Sequence, residues 1–273
     1  MRAREVACKS ILGKSKLGDY CLNPYTGCTN ACLYCYADFM RRFTDHAESW
    51  GSFVDAKINA PAVLARQLRR AKPGAHVIAS SVCDPYQAAE ATYRITRECL
   101  SMLLDVGLSV SVLTKSALVT RDFDLMEGEE NVCVEVSLST MDERLAALFE
   151  PGASPPSERV RVLMEAKDRG IRRGAFLGPL MPGIADTRES MAPLFEAIAP
   201  AEPEQVLLDS ITLYPGVRRR LRRHLRTHPE LLGPIELIAN DPKARADYED
   251  RLRKLATQAA RACGLAGALR LIV

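Results

Sequence analysis

The sequence predicts an α/β protein, a partial, TIM-like (β/α)6 barrel of parallel strands with a C-terminal helical extension. Short β-branched runs alternate with segments of helical period, and strands spaced by helices of that length form βαβ units in a parallel sheet. The strand count is about six rather than eight, which leaves the barrel open. A chain of 273 residues at 47% hydrophobic also has enough apolar surface for a sizeable core. The expected organisation is an N-terminal extension over 1–18, the barrel over 19–216, and helices over 217–273 packed on it.

Each element has its own signal. An extended segment spans Cys21–Tyr25, and β-branched runs mark strands at His76–Val82, Ser109–Thr114, Val132–Leu138, Gly174–Leu177 and Gln205–Leu213. Between them, Ile95, Cys99, Met102, Leu103 and Val106 fall on one helical face. Val160, Leu163, Met164 and Ile171 mark a second, and Met191, Leu194, Phe195 and Ile198 a third. A last long helix, about Lys243 to Cys263, aligns Tyr248, Leu252, Leu255, Ala259 and Cys263. Gly107, Gly170 and Gly264 stand where helix stops are expected. Function in such a layout gathers in the loops after the strands.

Lys plus Arg exceed Asp plus Glu by 37 to 34, too small an excess to imply a nucleic-acid partner by charge alone. The longest uncharged stretch, Tyr20 to Ala37, is broken by Asn23, Pro24 and Gly27, so no membrane span is expected. The opening residues lack an apolar signal region, and a cytoplasmic location is the expectation. Nine cysteines, an odd number, do not read as a disulfide framework.

Three of the nine crowd into eight residues, Cys28, Cys32 and Cys35. Thiolates are soft ligands and suit zinc or an iron–sulfur cluster. A structural zinc site takes four ligands, and no second pair lies nearby at that spacing. Three ligands leave one metal position open, and a [4Fe–4S] cluster with an unligated iron can bind a small molecule directly.

Cys28-Thr-Asn-Ala-Cys32-Leu-Tyr34-Cys35 resembles the CxxxCx(aromatic)C signature of radical S-adenosylmethionine (SAM) enzymes. The strings NPYTGCTNACLYCYA, CDPYQAAE and LTKS resemble its spore-photoproduct-lyase-like branch, over about Asn23 to Leu213. The resemblance implies a [4Fe–4S] cluster on Cys28, Cys32 and Cys35 whose fourth iron chelates S-adenosyl-L-methionine. Reductive cleavage would then give a 5′-deoxyadenosyl radical that abstracts hydrogen from substrate, in a lyase-like enzyme. A low-potential electron donor such as flavodoxin or ferredoxin is implied as partner, and a nucleic-acid-derived substrate by analogy with the branch.

The same resemblance implies roles for single residues. Tyr34 would lie near the adenine, and Tyr36 could relay a hydrogen atom. Asp84, helped by Ser80 or Ser81, would meet the methionine amino group, or else cap its own turn, since Pro85 follows. Lys115 would face the cofactor carboxylate, and Ser137, with Ser139 and Glu135 as competitors, the ribose or methionine. The Gly178–Gly183 segment would bring backbone to the adenine. Cys83 is a candidate hydrogen donor, but the lyases' donor aligns with Ser81, which sets this chain apart from spore-photoproduct repair.

The segment Val217–Arg226 reads as a helix with six arginines, suited either to phosphates or to a solvated face. The function class competing with a radical enzyme is a non-enzymatic iron–sulfur or zinc module for electron transfer or structure.

Overall fold

The computed structural model describes residues 3–272. Its strands are β1 (Arg4–Val6), β2 (Leu12–Lys14), β3 (Tyr20–Leu22), β4 (Tyr25–Thr26), β5 (Asp55–Lys57), β6 (His76–Ala79), β7 (Ser109–Thr114), β8 (Val132–Leu138), β9 (Arg172–Leu180), β10 (Gln205–Ser210) and β11 (Leu269–Leu271). The α-helices are α1 (Ala60–Leu68), α2 (Glu90–Tyr93), α3 (Ile95–Asp105), α4 (Glu143–Phe149), α5 (Pro156–Asp168), α6 (Arg188–Ile198), α7 (Pro215–His224), α8 (Pro229–Asn240) and α9 (Pro242–Ala262).

The main sheet runs β11-β10-β9-β8-β7-β6-β3-β2, parallel throughout except for the β2–β3 pair. β3 and β6 to β10 are the six expected strands, and the end strands β11 and β2 do not pair with each other among the described residues. Two edge strands were not expected. β2 hangs antiparallel on β3, and β11 adds a strand to the C-terminal part that the sequence presents as purely helical. A small sheet, β1-β5-β4, sits apart.

Alternation explains the packing. In β7, Val110, Val112 and Thr114 are buried, while Ser109, Ser111 and Leu113 stand half-buried on the other face. In α3, Ile95, Cys99, Leu100 and Leu103 cover one face, each such Leu or Ile stabilising by about 1.5–3 kcal/mol when fully buried. Gly107, Gly170 and Gly264 follow their helices with positive φ, as expected. α9 packs on α6 and α8, with Tyr248 and Leu252 in the core. Among the described residues, no helix is long and apolar enough to cross a membrane.

Three strand ends differ from expectation. β6 stops at Ala79 rather than Val82, because the N–H groups of Ser81 and Val82 both donate to Asn23 Oδ1 (3.0 and 2.9 Å) instead of a neighbouring strand. β10 stops at Ser210 rather than Leu213, after its register with β9 shifts at Leu208–Ser210. β9 is longer than expected, Arg172 to Leu180, since β8 and β10 offer partners on both sides.

Candidate active site

The cysteine loop follows β4 and is held from three directions. Gln87 spans it, accepting from Thr29 N at 2.9 Å and donating to Gly27 O at 3.1 Å. Leu33 N donates to Phe149 O at 2.8 Å, and Gly152 N to Asn30 O at 3.1 Å. Arg220, from α7, donates to Leu33 O at 2.7 Å and to Cys35 O. The turn requires glycine at Gly27, whose φ is +86° and where a Cβ would stand 2.3 Å from Phe53 O.

Cys28 sits in a small apolar cluster with Ala37, Trp50 and Phe53, joined by Cys35, Met40, Val82 and Cys83, while Cys32 packs against the main core. Burial pushes Cys28, Cys32 and Cys35 above the usual thiol range. Raised in this way, the thiols would release their protons on binding a soft metal. Trp50 Nε1 donates to Cys35 Sγ at 3.3 Å. Among the described residues no three His, Cys, Asp or Glu side chains are gathered as ligands of one ion. Three cysteines on one loop, in an apolar surround with an N–H aimed at one sulfur, fit an iron–sulfur cluster.

Asp84 is the knot between this loop and the strand ends. Its Oδ1 accepts from Tyr86 N at 2.9 Å and Thr114 Oγ1 at 2.6 Å; its Oδ2 accepts from Asn30 Nδ2 and Lys115 N, both at 2.8 Å. A carboxylate has about four accepting positions, and protein donors occupy four here. The bond to Tyr86 N is the turn cap that the following proline makes plausible. Ser81 is fixed through Asn23 and takes the Tyr36 hydroxyl on its carbonyl oxygen.

The ends of β7, β8 and β9 meet nearby. Lys115 Nζ donates to Ser137 Oγ at 2.6 Å, and Ser137 Oγ donates to Gly178 O at 3.0 Å. The ammonium lies 5.8 Å from the centre of the Tyr34 ring. Burial lowers Lys115 below the usual ammonium range, opposed by Cys32 beside it. Tyr34 in turn donates to Glu150, which pairs with Arg159 and accepts from Ser139 Oγ at 2.9 Å. Glu150 and Arg159 are both buried, so each charge is matched where it is desolvated. Cys83 Sγ lies 3.3 Å from Ser80 Oγ, and burial raises its thiol.

The structure thus brings Tyr34, Lys115 and Ser137 together, joins Tyr36 to Ser81, and sets Cys83 in the apolar cluster beside Cys28 and Cys35. Ser139 is occupied with Glu150, and Glu135 lies deeper along β8. Gln87, Trp50, Glu150 and Arg159 have no role in the sequence reading, and Arg220 enters it only as one of the six arginines of the basic helix, where it braces the cysteine loop instead. Gln87 had a signal in its place in the string with Asp84.

The radical SAM superfamily profile matches residues 22–194. The chain belongs to the radical SAM superfamily. It is an enzyme of that superfamily, which sets aside the electron-transfer or structural module as an alternative. An uncharacterised Mycobacterium tuberculosis protein is 31% identical over 263 residues, covering 92% of this chain and 77% of its own. An uncharacterised Methanocaldococcus jannaschii protein is 33% identical over 167 residues, 61% of this chain and 62% of its own. A solved spore photoproduct lyase, with bound AdoMet and dinucleoside spore photoproduct, superposes with a TM-score of 0.71 at 15% identity, over 98% of this chain and 80% of that one. Streptococcus suis SuiB bound to S-adenosylmethionine matches at 0.51 and 11% identity, over 76% of this chain and 45% of that one. These likenesses show the radical SAM fold, a partial barrel.

Proposed function

We propose that this radical SAM enzyme holds a [4Fe–4S] cluster on Cys28, Cys32 and Cys35 and S-adenosyl-L-methionine against Lys115, Ser137 and Tyr34. The observation that carries the reading is the meeting of Lys115, Ser137 and Tyr34 beside a braced three-cysteine loop. When bound, the cluster and S-adenosylmethionine supply one-electron cleavage of the sulfonium C–S bond and, with it, a 5′-deoxyadenosyl radical that takes hydrogen from substrate. Lys115 offers its ammonium to the cofactor carboxylate and Ser137 its hydroxyl to a polar edge of the same molecule. Tyr34, pinned by Glu150, presents a fixed ring face. Ser81 offers acceptor oxygens to the methionine amino group. Asp84, filled by four protein donors, acts by holding Asn30, Thr114 and Lys115 in place. Tyr36, bonded to Ser81 O, and Cys83, beside Ser80, are the candidate sources of a hydrogen atom for a substrate radical.

The electron comes from a low-potential donor such as flavodoxin or ferredoxin. A nucleic-acid-derived substrate is supported by the dinucleoside lesion bound in the solved lyase. The test is anaerobic reconstitution of iron and sulfide, then incubation with S-adenosylmethionine and deuterated oligonucleotides. Deuterium in 5′-deoxyadenosine is the expected result. A Cys28/Cys32/Cys35→Ala variant that keeps its iron and cleaves S-adenosylmethionine would overturn the assignment. Dinucleoside spore photoproduct forms a separate arm, expected to stay intact, because Ser81 stands where the lyases align their donor thiol.

A further inference from the structure

We propose that the basic cleft between α7 and the cysteine loop is the docking site of a small acidic protein carrying a low-potential flavin or iron–sulfur centre. The proposal rests on the radical chemistry above and adds the surface through which its electron arrives. The cleft encloses about 1210 Å³. That is larger than the usual small-molecule pocket of about 300–1,000 Å³.

The floor points to the occupant. It is formed in part by Ala31 and Leu33 of the cysteine loop itself, and by Trp50. Trp50 is 8% exposed, and its indole N–H reaches Cys35 Sγ at 3.3 Å. One side chain therefore separates a partner seated in the cleft from a cluster-ligating sulfur. Electron transfer falls steeply with distance, so a face this close to the ligands suits a donor protein.

The rim supplies the charge. Arg219 and Arg223 stand one turn apart on α7, exposed, and have no hydrogen-bond or ion-pair partner among the described residues. Arg42 lies over the Phe39 and Phe43 rings, 5.6 and 4.6 Å from their centres, and likewise has no acidic partner among them. The remaining arginines of α7 are spent inside the molecule. Arg218 and Arg222 both pair with Glu236, and Arg220 braces the loop and pairs with Asp38. Asp38 is the one acid among the described residues lining the cleft. The α7 arginines thus divide by face, and the pair left over points at the same cleft.

Exposed Phe39 and Tyr214 add apolar surface to the cleft lining beside these cations. Apolar surface flanked by charge is the layout of a protein–protein contact, and redox encounters are at the small end of such contacts. A groove that tracks a phosphate backbone would instead carry its charge along its length. In the step itself, one electron leaves the carrier's reduced centre, which is oxidised by one electron. It enters the cluster, which is reduced by one, and no bond forms or breaks.

The test uses reconstituted holoenzyme, reduced flavodoxin as probe, and dithionite as a small reductant that needs no docking surface. Bleaching of the cluster absorbance is followed by stopped flow, and complex formation by anaerobic calorimetry. Arg219→Glu/Arg223→Glu is expected to slow bleaching by flavodoxin at least tenfold and to weaken the complex to the same degree, with dithionite reduction unchanged. The wild-type flavodoxin rate is expected to fall with added salt and the variant's to be nearly flat. Equal flavodoxin rates in the two proteins would overturn the proposal. So would loss of oligonucleotide binding in the variant with flavodoxin reduction intact, which would make the cleft a nucleic-acid surface. A wild-type protein with no cluster that dithionite can reduce would instead sink the reading of the three cysteines.

Discussion

The ammonium of Lys115 donates to the hydroxyl of Ser137 at 2.6 Å, tying the ends of β7 and β8 together beside Tyr34. Ser137 Oγ donates in turn to Gly178 O, so the cation sits at the head of a short chain of donors ending on β9. Under the proposed function, this cation is the group offered to the carboxylate of S-adenosylmethionine.

Lys115→Ala is therefore expected to leave iron content unchanged and to weaken S-adenosylmethionine binding. A charge-assisted contact of about 1.5–3 kcal/mol corresponds to roughly a tenfold to hundredfold rise in Kd. Isothermal titration of the reconstituted variant checks it. An unchanged Kd would make Lys115 a brace for Ser137 alone.

Asp84→Ala removes the acceptor for Asn30, Thr114, Tyr86 and Lys115 together. Several buried donors are left without partners, and a destabilisation of about 3–5 kcal/mol is expected. Urea unfolding of the metal-free protein measures it. The reconstituted variant is expected to lose iron to a chelator faster than wild type, because Asn30 then no longer anchors the cysteine loop.

Trp50→Phe keeps the aromatic contact with Phe53 and removes the N–H aimed at Cys35 Sγ. A donor to a ligand sulfur favours the more negative, reduced cluster. Its loss is expected to lower the midpoint potential. A hydrogen bond of about 1 kcal/mol corresponds to roughly 40 mV for one electron. A redox titration followed by electron paramagnetic resonance decides the matter, and an unchanged potential would reduce Trp50 to packing.

Glu135 is half-buried in β8 without a hydrogen-bond or ion-pair partner among the described residues, and burial pushes its carboxyl up to about 7. The folded chain then holds a proton that the unfolded chain releases near its ordinary value of 4.5. Stability contributed by this group is present below that value and is lost as pH rises toward 7. Glu135→Gln is expected to stabilise the protein at pH 8 by up to about 3 kcal/mol, at about 1.4 kcal/mol for each pH unit of displacement. At about pH 4 the two proteins are expected to agree. Thermal melts across that range test the sign.

Local patterns in the sequence exposed the barrel strands and the cysteines, because alternation, helical period and ligand spacing are short-range properties. The strands β1, β2, β5 and β11 escaped because each is three residues long and takes its structure from a distant partner. Asp84 was legible as important, since it stands in a distinctive string, but its four donors come from three separate stretches of chain. Glu150 and Arg159 carried no signal at all. Nothing near either residue in sequence announces that they meet under Tyr34.

The grip of Arg220 on Leu33 O and Cys35 O joins positions 187 and 185 residues apart. The cysteines leave the ribosome early, yet this brace does not exist until α7 has been made. At about 5–20 residues per second, the interval is on the order of 10–40 s. Throughout that interval the three thiols are without their final scaffold, and Gln87, Phe149 and Gly152 complete it piece by piece. The loop's full set of braces is thus complete only after most of the chain has been made, and a cysteine cluster read early in the sequence takes its final form late.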